Sequence, residues 1–250
     1  MEYLLELESL VIGYKKQIYP EISSKVRKGE VVALIGPNGI GKSTLLRTIC
    51  AILKPRKGAV VVMGKNTSDY REGELALNVS YVPSQSPRTK ALSLFDMVSA
   101  GCYNRSDWLG RVSSRERKQI ISTLGKVGLS ELAHRDSSEL SDGEFQRAAI
   151  ARSLVQDSPL ILMDEPTAFL DIENKIIISR LLREIADGGK SIIFSTHDLL
   201  YASRICTRIW IMGYQGFIEG TPEELKEKGA FENIFKDSSV TAEDKLFSFI

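Results

Sequence analysis

The stretch that decides the fold is VVALIGPNGIGKSTLL, residues 31–46. Five apolar residues lead into a segment, Gly36 to Ser43, that fits the pattern G-x-x-x-x-G-K-[ST] at every fixed position. A loop with glycines at these positions can fold its N–H groups inward around a phosphate. Lys42 adds a positive charge for the β- and γ-phosphates, and the Ser43 hydroxyl can bind Mg²⁺. The pattern predicts a nucleotide-phosphate site, with a chance glycine-rich turn as the alternative.

The residues around the loop favour the phosphate site. Val31–Ile35 is typical of a buried strand, and apolar residues recur at helical spacing after the loop. These residues are Leu45, Leu46, Ile49, Ile52 and Leu53. A helix that begins at the loop directs the positive end of its dipole at the phosphate. We expect Lys42 to face the surface, where its charge is available to the nucleotide.

Composition narrows the class of protein. The chain has 250 residues, 43% hydrophobic and 26% charged, which is typical of a soluble globular protein. Lysine and arginine number 33 against 32 acids, so no overall charge draws the protein to nucleic acid or to an anionic membrane. Cys50, Cys102 and Cys206 form no C-x-x-C pair, which predicts reduced thiols in a cytosol. We expect neither a signal peptide nor a membrane-spanning segment, because the N-terminus lacks a basic region and no apolar run approaches roughly 20 residues.

Short apolar runs predict the strands. Tyr3–Leu10, Val31–Ile35 and Ala59–Met63 suggest an N-terminal sheet. Further strands are predicted at 78–82, 160–163 and 191–195, followed by a hairpin of 208–212 with 217–219. Because the pattern between residues 92 and 155 is helical, we predict one α/β domain with a helical insertion.

The helix starts are marked by a serine or threonine followed three residues later by an acid. The pairs are Ser93–Asp96, Ser113–Glu116, Ser141–Glu144 and Thr221–Glu224. The helix after Ser141 is predicted to run from Asp142 to about Gln156. Two buried stripes are predicted, one with Ile120, Ile121, Leu124 and Val127 and one with Ile172, Ile176, Leu181, Leu182 and Ile185.

Two carboxylates follow a wholly apolar strand, at Asp164 and Glu165. The carboxyl ends of strands in an α/β sheet are where ligands bind. We expect Asp164 near Mg²⁺ and Glu165 near the γ-phosphate and its attacking water. His197 stands just past the next strand, where a structural and a functional role are equally consistent with the sequence.

Three other residues have an ordinary structural alternative beside a functional one. Tyr14 can stack on adenine or be a half-buried strand residue. Gln85, in the loop after the strand at 78–82, can bind a ligand or be solvated. Ser141 can offer its hydroxyl to an anion or serve only as a helix cap.

Taken together, the motifs resemble one family. They are the phosphate loop at 36–43, Gln85, LSDGE at 140–144, LILMDE at 160–165, FLD at 169–171 and His197. In this order and spacing the chain resembles an ATP-binding-cassette (ABC) ATPase over residues 3 to about 240, before a tail at 241–250. The resemblance implies a P-loop NTPase fold with a mainly parallel core sheet, an N-terminal antiparallel β-subdomain and a helical subdomain at about 86–157.

The resemblance also implies site roles. The implied ATP-binding residues are Tyr14, Gly36, Pro37, Asn38, Gly39, Ile40, Gly41, Lys42, Ser43, Thr44, Ser141 and Gly143. Glu165 is implied as general base, with His197 holding the γ-phosphate and Gln85 sensing the attacking water. Ser43, Gln85 and Asp164 are the implied Mg²⁺ residues. Two copies would associate head to tail, with Ser141 and Gly143 acting on the partner's ATP and Asp171 connecting the two halves.

Two positions depart from the family pattern. The commonest signature is LSGGQ, whereas this chain carries Asp142 and Glu144. An added acid beside a phosphate opposes close approach. Ile40 replaces the small residue usual in the phosphate loop, and we expect its side chain to point away from the nucleotide.

The stretches 101–114, 139–172 and 194–199 are similar to ATPase subunits of iron-siderophore, haem and cobalamin importers. The resemblance implies a peripheral subunit at the cytoplasmic face of the plasma membrane, with a separate permease, indirectly a substrate-binding protein, and no nucleic acid. A soluble cassette acting on nucleic acid or the ribosome is the alternative. A simple P-loop kinase would leave LSDGE and His197 unexplained.

The segment Ser86–Tyr103 has more apolar residues than one buried helical stripe requires. They are Leu92, Leu94, Phe95, Met97 and Val98. We expect a shallow groove here for a short helix of the permease. Packing of all five residues into the helical subdomain is the alternative.

Overall fold

The computed structural model describes residues 3–105, 111–168 and 170–234. Its strands are β1 (Tyr3–Val11), β2 (Ile22–Arg27), β3 (Val31–Ile35), β4 (Lys57–Val62), β5 (Lys65–Asn66), β6 (Val79–Val82), β7 (Leu160–Met163), β8 (Ser191–Thr196), β9 (Arg208–Gly213) and β10 (Gly216–Gly220). Its α-helices are α1 (Lys42–Ile49), α2 (Leu94–Ser99), α3 (Ser114–Lys126), α4 (Asp142–Gln156), α5 (Ile172–Asp187), α6 (Leu199–Ile205) and α7 (Pro222–Glu227). Short 3-10 turns join several of these elements.

The strands form two sheets. One is antiparallel, with the order β2-β1-β4-β5. The other has the order β10-β9-β3-β8-β7-β6 and is parallel except for β10. This arrangement confirms the predicted antiparallel subdomain and mainly parallel core sheet, and it brings the carboxyl ends of β3, β6, β7 and β8 to one edge.

The placement of β3 corrects one expectation. Val31–Ile35 pairs with β8 and β9 in the core sheet, not with β1 and β4 in the N-terminal sheet. All five residues are buried, as in a parallel strand that is covered on both faces. Val32 and Leu34 join an apolar cluster with α1 and the N-terminal sheet, whereas Val31, Ala33 and Ile35 join a cluster with α2 to α6.

The predicted helix starts are confirmed. The Ser93 side chain caps α2, and complete capping boxes begin α3 at Ser113, α4 at Ser141 and α7 at Thr221. In each box the hydroxyl accepts from the third N–H of the helix while the acid accepts from the cap N–H. The predicted range of α4 is also confirmed.

Some predicted buried stripes are too wide. α1 ends at Ile49, because Ala51 adopts a left-handed conformation (φ 57°), and Ile52 is 60% exposed. Ile121, Ile172 and Ile176 are exposed as well. Only one side of each helix contacts the core, and helical spacing alone does not give the width of that side.

The predicted docking groove is wrong. Leu94, Phe95, Met97 and Val98 are buried, and Leu92 packs against the same cluster. The short α2 lies against both α3 and α4, so apolar side chains on more than one of its faces are covered by the chain itself. The Arg117 guanidinium further covers the Phe95 ring, with 4.8 Å between them.

The three cysteines carry free thiols, as predicted. Cys102 is buried, and the other two are half-buried. Burial raises the pKa of Cys50 to about 11 and that of Cys206 to about 12. Both thiols therefore stay protonated and unreactive at neutral pH.

Candidate functional site

The phosphate loop runs from the end of β3 to the start of α1. Gly39 and Gly41 have positive φ angles, 79° and 117°, which residues with side chains adopt at a cost. A Cβ at Gly36 would lie 2.4 Å from the Met212 carbonyl oxygen, so the loop packs directly on β9. α1 begins without a side-chain cap and without an acid in its first turn. Its first N–H groups are therefore available to an anion.

Lys42 is held inside this loop, which corrects the expectation that it faces the surface. Its ammonium donates to the carbonyl oxygens of Gly36, at 2.7 Å, and Pro37, at 3.2 Å. Burial lowers the pKa of Lys42, and the nearby carboxylates of Glu165 and Asp164 act in the opposite direction. The loop thus has its cation in place before any phosphate arrives.

The other residues of the loop differ in how far they are exposed. Ile40 packs against the apolar cluster beneath the loop. Thr44 is buried and Ser43 half-buried in the first turn of α1, whereas Asn38 and Gly39 are exposed.

Asp164 lies at the carboxyl end of β7 and is buried. Its Oδ1 accepts from the Ser195 hydroxyl at 2.7 Å. Its Oδ2 is also buried but has no hydrogen-bond partner. A buried carboxylate oxygen without a partner is costly, and a cation would remove that cost.

Glu165 follows in the left-handed region, with φ 51°. Its N–H donates to the Ser195 hydroxyl at 2.9 Å, and its Oε2 lies 3.0 Å from His197 Nδ1. Because a carboxylate only accepts, Nδ1 carries a hydrogen, and Nε2 is left for another partner. An uncommon backbone conformation at a residue of this kind is a feature of functional sites.

The residues present fit Mg²⁺ bound together with a nucleotide. In the described part of the chain, no group of three or more His, Cys, Asp or Glu side chains could hold a metal alone. Mg²⁺ is commonly held by one or two protein oxygens plus substrate phosphates. The unpartnered Asp164 Oδ2 and the Ser43 hydroxyl supply this kind of donor set.

The remaining predicted site residues are on the surface. Tyr14 is 53% exposed and lies outside any strand, so its half-buried alternative is wrong. Gln85 is exposed in the loop after β6. Asp171 caps α5 by accepting from the Asn174 N–H at 2.8 Å. Phe169, also in this motif, lies outside the described residues.

The signature, residues 140–144, is separate from the phosphate loop. Among the described residues, the polar contacts of Ser141, Asp142 and Gly143 stay within α4 and the segment after Gln85. The Glu144 carboxylate accepts from both the N–H and the hydroxyl of Ser141, at 2.8 Å each. These two bonds lower the pKa of Glu144.

Sequence reasoning missed Ser195 and Arg88. Ser195 connects Asp164 to the backbone of Glu165, and Arg88 binds Asp142. A polar residue near the carboxyl end of the buried strand β8 was a signal for Ser195. Nothing in the sequence pattern distinguished Arg88 from a solvated loop arginine.

The fold and this edge of the sheet define a P-loop nucleotide hydrolase: a phosphate loop between strand and helix, with acids at the end of a parallel strand. A family model described as ABC transporter matches residues 19–168. The chain belongs to the ABC transporter family, and its enzymatic activity is ATP hydrolysis.

Individual relatives extend over nearly the whole chain. The petrobactin import ATP-binding protein of Bacillus anthracis is 32% identical over 99% of this chain and 92% of its own length. The iron(3+)-hydroxamate import ATP-binding protein of Bacillus subtilis is 32% identical over 93% of this chain and 87% of its own. A dimeric ATP-binding cassette in a post-hydrolysis state, bound to ADP and Pi, superposes with a TM-score of 0.78 at 28% identity, covering 87% of this chain and 98% of that one.

Among the described residues, no helix combines the length and the apolar character needed to cross a bilayer.

Proposed function

We propose that this chain is the ATP-hydrolysing subunit of an importer for iron-siderophore, haem or a related chelate. It works as a head-to-tail dimer at the cytoplasmic face of the plasma membrane, with a separate permease and indirectly with a substrate-binding protein. The observation that carries the cargo class is the similarity to the petrobactin import protein over 99% of the chain. Residues 86–157 serve as the helical subdomain.

The nucleotide occupies the edge of the core sheet. Residues 36–44 enclose the β- and γ-phosphates, with Lys42 as the cation and the N-terminus of α1 as a further positive end. The exposed Tyr14 ring is available to stack on adenine. When bound, Mg²⁺ neutralises the phosphate charge, and Ser43, Gln85 and Asp164 are the residues that would hold it.

Glu165 is the general base for the attacking water. Ser195 fixes its backbone and His197 contacts its Oε2, so the carboxylate is oriented before the substrate binds. His197 holds the γ-phosphate through Nε2, the ring nitrogen that Glu165 does not engage. Gln85, in the loop after β6, positions the water and reports the state of the γ-phosphate.

The second half of each site comes from the partner. Ser141 is exposed, and its described contacts do not reach the phosphate loop of the same chain. A second copy placed head to tail brings Ser141 and Gly143 to the γ-phosphate, with Asp171 at the contact between copies. The dimeric form of the superposed cassette supports this arrangement.

The test is chelate uptake in cells that lack the chain. Cells complemented with the wild type should take up radioactive iron from petrobactin, a hydroxamate or haem, and cells carrying Glu165→Gln should not. The wild type should also copurify with a membrane-spanning permease from solubilised membranes. Equal uptake of all three iron sources with and without the chain would overturn the proposed cargo class.

A further inference from the structure

Arg88 lies three residues after Gln85, yet its side chain reaches the start of α4. Its Nη1 donates to the Leu140 carbonyl oxygen, and to that of Ser138 at 3.3 Å. Its Nη2 binds the Asp142 carboxylate at 2.6 Å. The guanidinium also lies 5.0 Å from the centre of the Phe145 ring. One side chain therefore contacts the signature on both sides of Ser141.

The chemistry of a guanidinium suits this set of partners. Its planar group carries five donors in a fixed geometry and can stack on an aromatic face at the same time. A lysine could form the ion pair with Asp142. Its ammonium could not also stack on the Phe145 ring while sharing its donors among the other partners. The direction in which the α4 N-terminus points is thus tied to the loop that carries Gln85.

The ion pair also concerns charge. Asp142 stands where the common signature has glycine, and its side chain is 76% exposed. Without a partner, this carboxylate would repel the phosphate that the signature is meant to meet. Arg88 places a positive charge directly on it.

We infer that Arg88 is a positioning residue that neutralises Asp142 and holds the signature against the segment that follows Gln85. This inference rests on the proposed function, in which the signature meets the partner's ATP. It assigns the acid in the signature a matched partner within the same chain, so that the departure from LSGGQ does not weaken the closed dimer.

The experiment is a double-mutant cycle with Arg88→Ala, Asp142→Gly and the double variant. Arg88→Ala should lower kcat/KM for ATP about tenfold, since charged hydrogen bonds are lost and a carboxylate is left unpaired. ATP binding by the monomer should stay unchanged. Adding Asp142→Gly should recover much of the loss, and so should added salt, which screens the free carboxylate.

Arg105 provides a matched control at the other end of α4. It donates to the Val155 carbonyl oxygen and pairs with Asp157 at 3.6 Å, and its side chain is 32% exposed against 31% for Arg88. Arg105→Ala should lower the melting temperature about as much as Arg88→Ala without lowering turnover. If Arg88 had only a structural role, Arg88→Ala would lose activity in proportion to its loss of stability. Neither Asp142→Gly nor added salt would then restore activity.

The outcomes separate the two proposals. Normal turnover in Arg88→Ala, or a loss that neither Asp142→Gly nor salt relieves, overturns this inference while the proposed function stands. Absence of ATP hydrolysis in the wild type overturns both.

Discussion

α1 and α4 both begin where a phosphate is expected, but their N-termini are built differently. α1 follows Gly41 and has neither a side-chain cap nor an acid in its first turn. α4 follows Ser141, which forms a complete capping box with Glu144, and its first turn holds two acids. Both helices offer N–H groups and a positive dipole end to an anion.

The difference indicates how each end is used. The α1 terminus is open and already has Lys42 beside it, so it can accept a phosphate without rearrangement. At the α4 terminus the Ser141 N–H and hydroxyl already bind the Glu144 carboxylate, so a phosphate there has to compete with that carboxylate for Ser141. Under the proposed function, we expect the first site to bind nucleotide in the monomer and the second to engage only when a partner presents its ATP.

The largest expected effect comes from removing the Lys42 charge at the N-terminus of α1. Lys42→Ala should reduce ATP turnover by at least about a thousandfold. The fold should persist, because losing two hydrogen bonds from a charged donor costs about 3 kcal/mol and removal of a buried charge offsets part of it. Equilibrium nucleotide binding, a turnover assay and thermal melting measure these effects. The exposed Lys54→Ala is the control, and full turnover in Lys42→Ala would contradict the role of the open end.

Next in size is Glu165→Gln, which should lower turnover about a thousandfold but keep ATP binding. The amide cannot accept a proton from water, and its neutrality reduces repulsion of the γ-phosphate, so an ATP-bound dimer should accumulate. Gel filtration with ATP and Mg²⁺ reports the dimer. Glu173→Gln, on the exposed first turn of α5, should behave as the wild type. Normal turnover with a monomeric elution volume would count against Glu165 as base.

Blocking the N-terminus of α4 tests whether Ser141 acts on the ATP bound by the partner. Ser141→Arg should reduce turnover about a hundredfold while the monomer still binds ATP, because the phosphate loop is untouched. A mixed dimer with Ser141→Arg in one subunit and Lys42→Ala in the other places both changes in one composite site. Turnover should then return at the second site. If both motifs acted on one nucleotide within a chain, the mixed dimer would stay inactive.

The smallest effect is expected from Glu144→Gln, which keeps the shape of the capping box but removes its charge. The folded protein should lose about 0.5 kcal/mol at neutral pH. The pKa of Glu144 is lowered in the folded state by its bonds from Ser141, so its stabilisation is present above the ordinary value of 4.5 and disappears as pH falls through the lowered pKa.

Melting curves of the wild type and Glu144→Gln at several pH values measure this difference. The melting temperatures of the two proteins should converge in acid and differ above pH 4.5. The KM for ATP should fall about twofold in the variant, since a neutral amide competes less with phosphate. A KM that rises instead would show that the carboxylate does not oppose the incoming phosphate.

The sequence predicted the features that depend on residues close together in the chain. Both helix N-termini, the acids after β7 and the capping boxes depend on residues a few positions apart, and they appear as expected. The role of Ser195 was missed because its contact with Asp164 depends on the parallel register of β7 and β8. The role of Arg88 was missed because Arg88 contacts Asp142 only when its loop packs against α4.

Burial was harder to predict than position. Lys42 was expected at the surface, but the carbonyl groups that enclose it come from the three-dimensional path of the loop. α2 was expected to leave an apolar surface exposed, but α3 and α4 cover it. Spacing along one helix does not reveal how many neighbours that helix has.

The position of β3 also has a consequence for how the chain unfolds. Its alternating side chains belong to two apolar clusters on opposite faces of the core sheet. Neither cluster can come apart without exposing β3, so the two should melt in one cooperative transition. The backbone amides of Val32 to Leu34 should then exchange with deuterium only through global unfolding, among the slowest in the molecule, whereas those of the loop around Gln85 should exchange through local opening.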